Sequence, residues 1–126
     1  MSKFALFELE QVVGQIRFFQ LSINGRFPFT DFCNEIEHDG NQRGHLIRIW
    51  RIFQEMADGF QFETNIVKPL KGGLKNEFEI KRGPLRVYFI KDPEGHIIIL
   101  GGQKKNQSKD ISKFRAINKE YLKSKL

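Results

Sequence analysis

Side chains that could act on a phosphodiester are concentrated in the region 68–107 of the chain. Cleaving RNA without a metal needs a base for the 2′-hydroxyl, cations around the phosphorane-like transition state and an acid for the departing 5′ oxygen. Lysine can serve as acid or base when nearby positive charge lowers its pKa, and arginine suits bidentate binding of phosphate. The candidates are Lys81, Arg82, Arg86, Tyr88, Lys104 and Lys105.

Alternation along a strand predicts that Arg86 and Tyr88 share one face of a sheet. Leu85, Val87 and Phe89 would then form the opposite, core-facing side. We therefore expect the Arg86 face to be open to solvent, so that Arg86→Ala would leave the melting temperature nearly unchanged. The basic residues that end the flanking strands would converge with it on one patch. The alternative is that all of them are ordinary solvent-facing strand charges.

The charge of the chain is divided unequally between its two halves. Residues 1–63 carry 6 Lys+Arg against 9 Asp+Glu, and residues 64–126 carry 15 against 6, which gives net charges of −3 and +9. Such a split favours an electrostatic surface for nucleic acid or for an acidic partner. Eight of the cations lie between Lys104 and Lys125, so a solvated, lysine-rich helix is the other explanation.

Other site chemistries find little support in the residue spacing. The three histidines are scattered singly, with no spacing typical of metal ligands, and we predict no metal site; they are His38, His45 and His96. The single Cys33 has no nucleophile motif around it, and we interpret it as a packing residue. We predict no cofactor. The Gly72-Gly73 and Gly101-Gly102 pairs indicate a turn and a strand-end bulge.

The elements that must position these residues follow from hydrophobic periodicity. We predict strands, then a helical hairpin, then an antiparallel meander and a final helix, which makes an α+β fold. The predicted strands are 3–9, 15–23, 76–81, 85–91 and 96–101, and the predicted helices are 29–37, 41–58 and one that begins at Ser108. The hairpin should pack on one face of a twisted antiparallel sheet through Ile49, Trp50 and Phe53.

Length and composition indicate one globular domain over residues 1–126. No segment approaches the ~18 apolar residues needed to span a bilayer, so we expect no membrane partner. One cysteine rules out an internal disulfide and suits a reducing compartment. We therefore expect a cytoplasmic protein.

Several segments together resemble the RelE/HigB (phage Gp49-like) toxins of bacterial type II toxin–antitoxin modules. The segments are 68–74 (Lys-Pro-Leu-Lys-Gly-Gly-Leu), 77–80 (Glu-Phe-Glu-Ile), 85–89 (Leu-Arg-Val-Tyr-Phe), 97–102 (Ile-Ile-Ile-Leu-Gly-Gly) and 104–107 (Lys-Lys-Asn-Gln). The resemblance implies a RelE-like fold, in which a helical hairpin and a C-terminal helix accompany a small antiparallel sheet. It also implies a ribosome-dependent mRNA endoribonuclease, an mRNA interferase that inhibits translation and is silenced by a cognate helix-turn-helix antitoxin.

The same resemblance assigns roles to individual residues. It implies that Arg86 stabilises the phosphate, that Lys81 and Lys104 complete the catalytic set with Tyr88, and that other residues bind RNA. The implied RNA-binding residues are Lys71, Arg82, Lys105 and Gln107. Many ribosome-dependent members have a Tyr or His after the last strand, where this chain has Asn106-Gln107-Ser108, so the base is left between Tyr88 and His96. The ribosome and mRNA are the implied partners, with no small-molecule cofactor.

Two other classes of function remain open from the residues. ParE-like toxins of the same superfamily bind DNA gyrase and tend to lack the basic catalytic set, so Arg86, Lys81 and Lys104 argue against that class. A non-catalytic basic module that binds RNA or another partner is the third possibility.

Overall fold

In the computed structural model, which describes residues 3–126, six strands form one mixed sheet accompanied by three α-helices. In chain order the elements are β1 (Phe4–Glu8), β2 (Phe18–Ile23), α1 (Pro28–Asp39), α2 (Arg43–Ala57), β3 (Val67–Pro69), β4 (Glu77–Arg82), β5 (Leu85–Asp92), β6 (Gly95–Gln103), a 3₁₀ turn (Lys104–Asn106) and α3 (Gln107–Ser124). The predicted α+β class is confirmed. Within residues 3–126 no helix is both long enough and apolar enough to cross a bilayer.

The strand order across the sheet is β1-β2-β6-β5-β4-β3, and one of the five pairings is parallel. Strand β2 runs parallel to β6, with Phe18 opposite His96, and the other neighbours are antiparallel. The expectation of a purely antiparallel sheet is therefore wrong. The cause is the long connection through the helices and the meander, which returns β6 beside β2 in the same direction.

The helical hairpin packs on one face of the sheet, as predicted. Helix α1 has Pro28 in its first turn, where the missing N–H costs nothing, and ends at Gly40 with a left-handed φ of 81°. Helix α2 buries Ile49 and Phe53 completely in a core cluster that includes residues of β4, β5 and β6, and Trp50 is partly buried against that cluster. An apolar stripe at three- and four-residue spacing is what produces this packing.

Helix α3 covers the opposite face, so the sheet is an inner layer. Its Phe114 and Tyr121 are buried in a second cluster with residues of the central strands. The ring of Phe114 lies 5.6 Å from that of Tyr88, measured between centroids. Strand β5 is consequently buried on both of its faces over residues 85–90. This second layer decides where several of the predicted site residues lie.

Several glycines lie in turns, as predicted, but the bulge expected at Gly101-Gly102 is absent. Asn24 and Gly25, with φ of 52° and 78°, turn the chain after β2, and Gly72 lies in a turn with φ of 88°. No bulge lies at the 101–102 glycines; the register shift lies at Ile99, since Tyr88 faces Leu100 and Phe89 faces Ile98. Glycine is needed at 101 because a Cβ there would lie 2.5 Å from the ring of Phe32.

One strand was not predicted and several boundaries differ from those predicted; the strand predicted over 15–23 begins only at Phe18. The edge strand β3 was not predicted, because it has only three residues and contains Pro69, which is tolerated only at a sheet edge. Helix α3 begins at Gln107, one residue before the predicted Ser108, directly after the 3₁₀ turn that contains Lys104 and Lys105.

Candidate nucleic-acid interface

Strands β4, β5 and β6 bring basic residues to one end of the sheet. Lys81 and Arg82 end β4, and the turn at Gly83 and Pro84 leads into β5. The 3₁₀ turn that follows β6 is tied to the same place, because the backbone N–H of Lys104 donates to the carbonyl of Pro84 at 2.7 Å. The two basic pairs predicted from sequence therefore flank one turn, even though they are more than twenty residues apart in the chain.

Helix α2 adds two arginines that sequence reasoning missed. Arg48 and Arg51 are exposed on α2 and line a cavity of about 170 Å³ together with Lys81 and Arg82. Their i, i+3 spacing, opposite the apolar stripe of α2, was visible in the sequence. Their position against β4 could not be predicted from the sequence. The net charge of residues 1–63 is negative, so that half of the chain gave no sign of contributing to a basic surface.

These six residues are called the basic surface below. They are Arg48, Arg51, Lys81, Arg82, Lys104 and Lys105. Five of the six are exposed and Arg82 is half-buried. Glu55 is the acidic side chain that lines the same cavity.

No cation of the basic surface forms an ion pair within the described chain, although the Glu55 carboxylate lines the same cavity. Elsewhere Lys3, Arg17, Arg43, Lys68, Arg115 and Lys125 each have a carboxylate within 4.0 Å, whereas other exposed cations, such as Lys109 and Lys119, have none in that part of the chain. Within residues 3–126, no member of the basic surface has such a partner. Like charges held together without counter-charges repel one another, and a polyanion would relieve that repulsion.

Arg86 lies behind this surface and is buried, which corrects the expectation that it faces solvent. Its side chain is on the α3 side of the sheet and only 2% of the residue is exposed. Its Nη1 donates to the carbonyls of Gly83 at 2.7 Å and Leu85 at 2.8 Å, whereas its Nε is buried without a hydrogen-bond partner. The guanidinium thus fastens the turn that follows Arg82, and no carboxylate of residues 3–126 lies within 4.0 Å of it.

Tyr88 is likewise not on an open face. It is completely buried under α3, and its hydroxyl has no hydrogen-bond partner within the described chain. Burial, with the nearby Glu79 carboxylate second, raises the pKa of Tyr88 far above its usual value. A phenol in this position cannot exchange protons with a surface-bound substrate in this conformation.

His96, the other candidate base, lies at the far end of the sheet. It faces Lys91 across β5 and β6, and its ring packs 5.2 Å from the rings of both Phe18 and Phe89. Burial, helped by the Lys91 charge, lowers the pKa of His96 to about 4. His96 is therefore separated from the basic surface by most of the length of β6.

Two of the predicted RNA-binding residues lie elsewhere. The Gln107 amide donates to the Glu79 carboxylate at 2.6 Å, so it is engaged inside the protein. Lys71 is exposed beside the start of β4, where its carbonyl accepts a hydrogen bond from Arg115. The length of β4, roughly 16 Å at ~3.3 Å per residue, separates that end from Lys81.

Cys33 adds no second reactive centre. Burial raises the pKa of Cys33 to about 12, with the Glu37 charge as a further cause, which fits the packing role predicted for it. Within the described 3–126 range, no three His, Cys, Asp or Glu side chains lie close enough to share a metal ion.

Comparison of this chain with protein-family models, with curated proteins and with solved structures found no match.

Proposed function

We propose that the protein is a RelE/HigB-like toxin, a ribosome-dependent endoribonuclease whose basic surface binds the backbone of mRNA. The observation that carries the proposal is that Lys81, Arg82, Lys104 and Lys105 flank the β4–β5 turn, that Arg48 and Arg51 of α2 line a cavity with Lys81 and Arg82, and that none of the six has a carboxylate partner among residues 3–126. The order of strands, helical hairpin, meander and C-terminal helix supports it.

In this proposal the arginines and the lysines of the basic surface have different roles. The arginines hold phosphate oxygens in a bidentate manner, and the lysines supply mobile charge around the phosphorane-like transition state. Lys81 and Lys104 flank the β4–β5 turn and are the lysines that would act on a phosphate bound there. Attack of the 2′-hydroxyl on phosphorus would then leave a 2′,3′-cyclic phosphate and a 5′-hydroxyl.

Arg86 takes a different role from the one its resemblance implies. Because its Nη1 bonds two carbonyls of the turn, Arg86 acts as a positioning residue for Arg82 and Lys81. Its unbalanced charge also raises the positive potential behind the surface. The cognate helix-turn-helix antitoxin would silence the toxin by covering the basic surface or by neutralising it.

A second candidate is a basic RNA-binding module without catalysis. The burial of Arg86 and Tyr88 favours this candidate, because two of the four residues in the implied catalytic set do not reach solvent. The two candidates share the surface and differ in whether RNA is cut.

Induced expression in a bacterial host distinguishes the candidate functions by whether protein synthesis or DNA synthesis falls first. The proposal predicts growth arrest in which amino-acid incorporation falls within minutes and DNA synthesis continues, and a Lys81→Ala/Lys104→Ala double variant should relieve the arrest. An early fall in DNA synthesis would instead indicate gyrase as the target. Unimpaired growth with a stable, soluble protein would indicate the non-catalytic module.

A further inference from the structure

His45 lies against the turn that joins Arg82 to β5. It is the third residue of α2, and its half-buried imidazole lies flat against the backbone of Gly83. A Cβ at Gly83 would come within 2.5 Å of Cε1 and 2.7 Å of Nε2 of that ring. Gly83 is the turn residue between Arg82 and Pro84, and the Pro84 carbonyl accepts the backbone N–H of Lys104, so the imidazole lies against the turn to which both Arg82 and Lys104 are joined.

Both ring nitrogens of His45 are free to act on a ligand. Neither makes a hydrogen bond within residues 3–126, and neither is among the buried polar atoms that lack a partner, so both reach the surface. His38 shares this property, whereas His96 does not. His96 has a buried Nδ1 at the far end of the sheet, and His38 is in the last turn of α1.

We propose that His45 is the general base of the ribonuclease site, an inference that rests on the function proposed above. Imidazole is the side chain that ordinarily exchanges a proton near neutral pH. No other imidazole, and no accessible phenol, adjoins the basic surface in the described part of the chain. Gly83 leaves room for the ring, which explains why the turn has a glycine at a position with φ of 54°.

The proton balance of the step is simple. His45 takes the proton of the 2′-hydroxyl as O2′ forms its bond to phosphorus and the P–O5′ bond breaks. The O5′ atom takes a proton from the ammonium of Lys104, and water restores both side chains afterwards. General base catalysis of this kind contributes roughly 10²–10⁴-fold to the rate.

The test compares His45→Ala with His38→Ala, a matched variant at an exposed histidine. Cleavage of mRNA on purified ribosomes, ribosome binding and melting temperature are measured for both and for the wild type. We expect His45→Ala to bind ribosomes within about 2-fold of the wild type and to cleave roughly 10²–10⁴-fold more slowly. Added imidazole should restore part of its activity, and the acidic limb of its pH–rate profile should disappear.

His45→Ala cleaving at the wild-type rate would overturn the assignment while leaving the proposed function intact. A loss of cleavage that imidazole does not restore, with the acidic limb retained or with a matching loss of binding, would show a structural role and would also overturn it. A wild-type protein that binds ribosomes and leaves mRNA uncut would refute the proposed function, and the inference with it. His45→Gln, which keeps a polar side chain against Gly83, provides the same comparison if His45→Ala does not fold.

Discussion

Lys81 lies directly opposite Arg86 across the β4–β5 pair, yet Lys81 is exposed and Arg86 is 2% exposed. Both side chains point to the same side of the sheet. Arg86 is enclosed because β5 is a central strand that α3 covers, whereas Lys81 lies near the sheet edge beyond the end of β3. One cation of the pair is therefore available to a ligand and the other serves the scaffold.

Arg86→Ala should destabilise the protein by about 2–4 kcal/mol, because it leaves two turn carbonyls without their donor and a void beneath α3. This replaces the expectation of an unchanged melting temperature, which assumed an outward-facing side chain. Urea denaturation measures the effect. The matched variant Lys81→Ala should change stability by less than about 0.5 kcal/mol. Equal stabilities for the two variants would contradict the positioning role of Arg86.

Charge reversal at Lys104 and Lys105 should weaken ribosome binding and reduce its salt dependence. Each lost phosphate contact lowers the slope of log affinity against log salt by roughly 0.7–0.9. The control is Lys119→Glu/Lys123→Glu, which makes the same charge change on exposed positions of α3. If both double variants lose affinity equally, net charge rather than the basic surface governs binding.

His96 should make the protein less stable as the pH falls. Its folded-state pKa of about 4 lies below the ordinary value of 6.5, so the unfolded chain binds the proton more readily between these values. The contribution of His96 is fully present above pH 6.5, declines below it and levels off near pH 4. At pH 5 the loss amounts to about 2 kcal/mol.

Unfolding free energies at pH 7.5 and pH 5 check this expectation. His96→Gln should show a pH dependence flatter by that amount, and His38→Gln, at an exposed histidine, should keep the wild-type dependence. Identical pH dependence in His96→Gln and the wild type would mean that the ring is not held neutral by burial.

Gly101→Ala should destabilise the protein by about 1–3 kcal/mol, since the new Cβ would force the Phe32 ring out of its place in the core. Gly44→Ala is the matched control, because a Cβ at Gly44 in α2 meets no atom within 4 Å. That variant should stabilise by about 0.4–1 kcal/mol through the unfolded chain. Thermal unfolding of the two variants should move in opposite directions, and a shared direction would contradict the close approach of Phe32 to Gly101.

Hydrophobic periodicity was sufficient to predict most elements. It failed to predict which face of the sheet is exposed, because helix α3 forms a third layer that covers the face of Arg86 and Tyr88. Alternation correctly placed Arg86 and Tyr88 on one face but could not say whether that face was covered. The run of apolar residues at 97–100 is typical of a strand buried on both sides, and it was the available sign of a second covering layer.

Only the part of the candidate site that lies on neighbouring strands of the meander could be predicted from the sequence. The ends of β4 and β6 could be placed together because a meander brings them to one edge. The contribution of α2, namely Arg48, Arg51 and His45, depends on how the helix lies across the sheet, and no local pattern encodes that. The parallel pairing of β2 with β6 joins segments about eighty residues apart and is equally absent from local sequence.

Mapping of mRNA ends on purified ribosomes tests the central claim most directly. The account predicts that the wild-type protein cuts ribosome-bound mRNA and leaves 2′,3′-cyclic phosphate and 5′-hydroxyl ends. Lys81→Ala/Lys104→Ala should lose this cleavage, and Lys119→Ala/Lys123→Ala should retain it. Intact mRNA in the presence of ribosome-bound wild-type protein would contradict the account and would leave the basic surface as a binding surface alone.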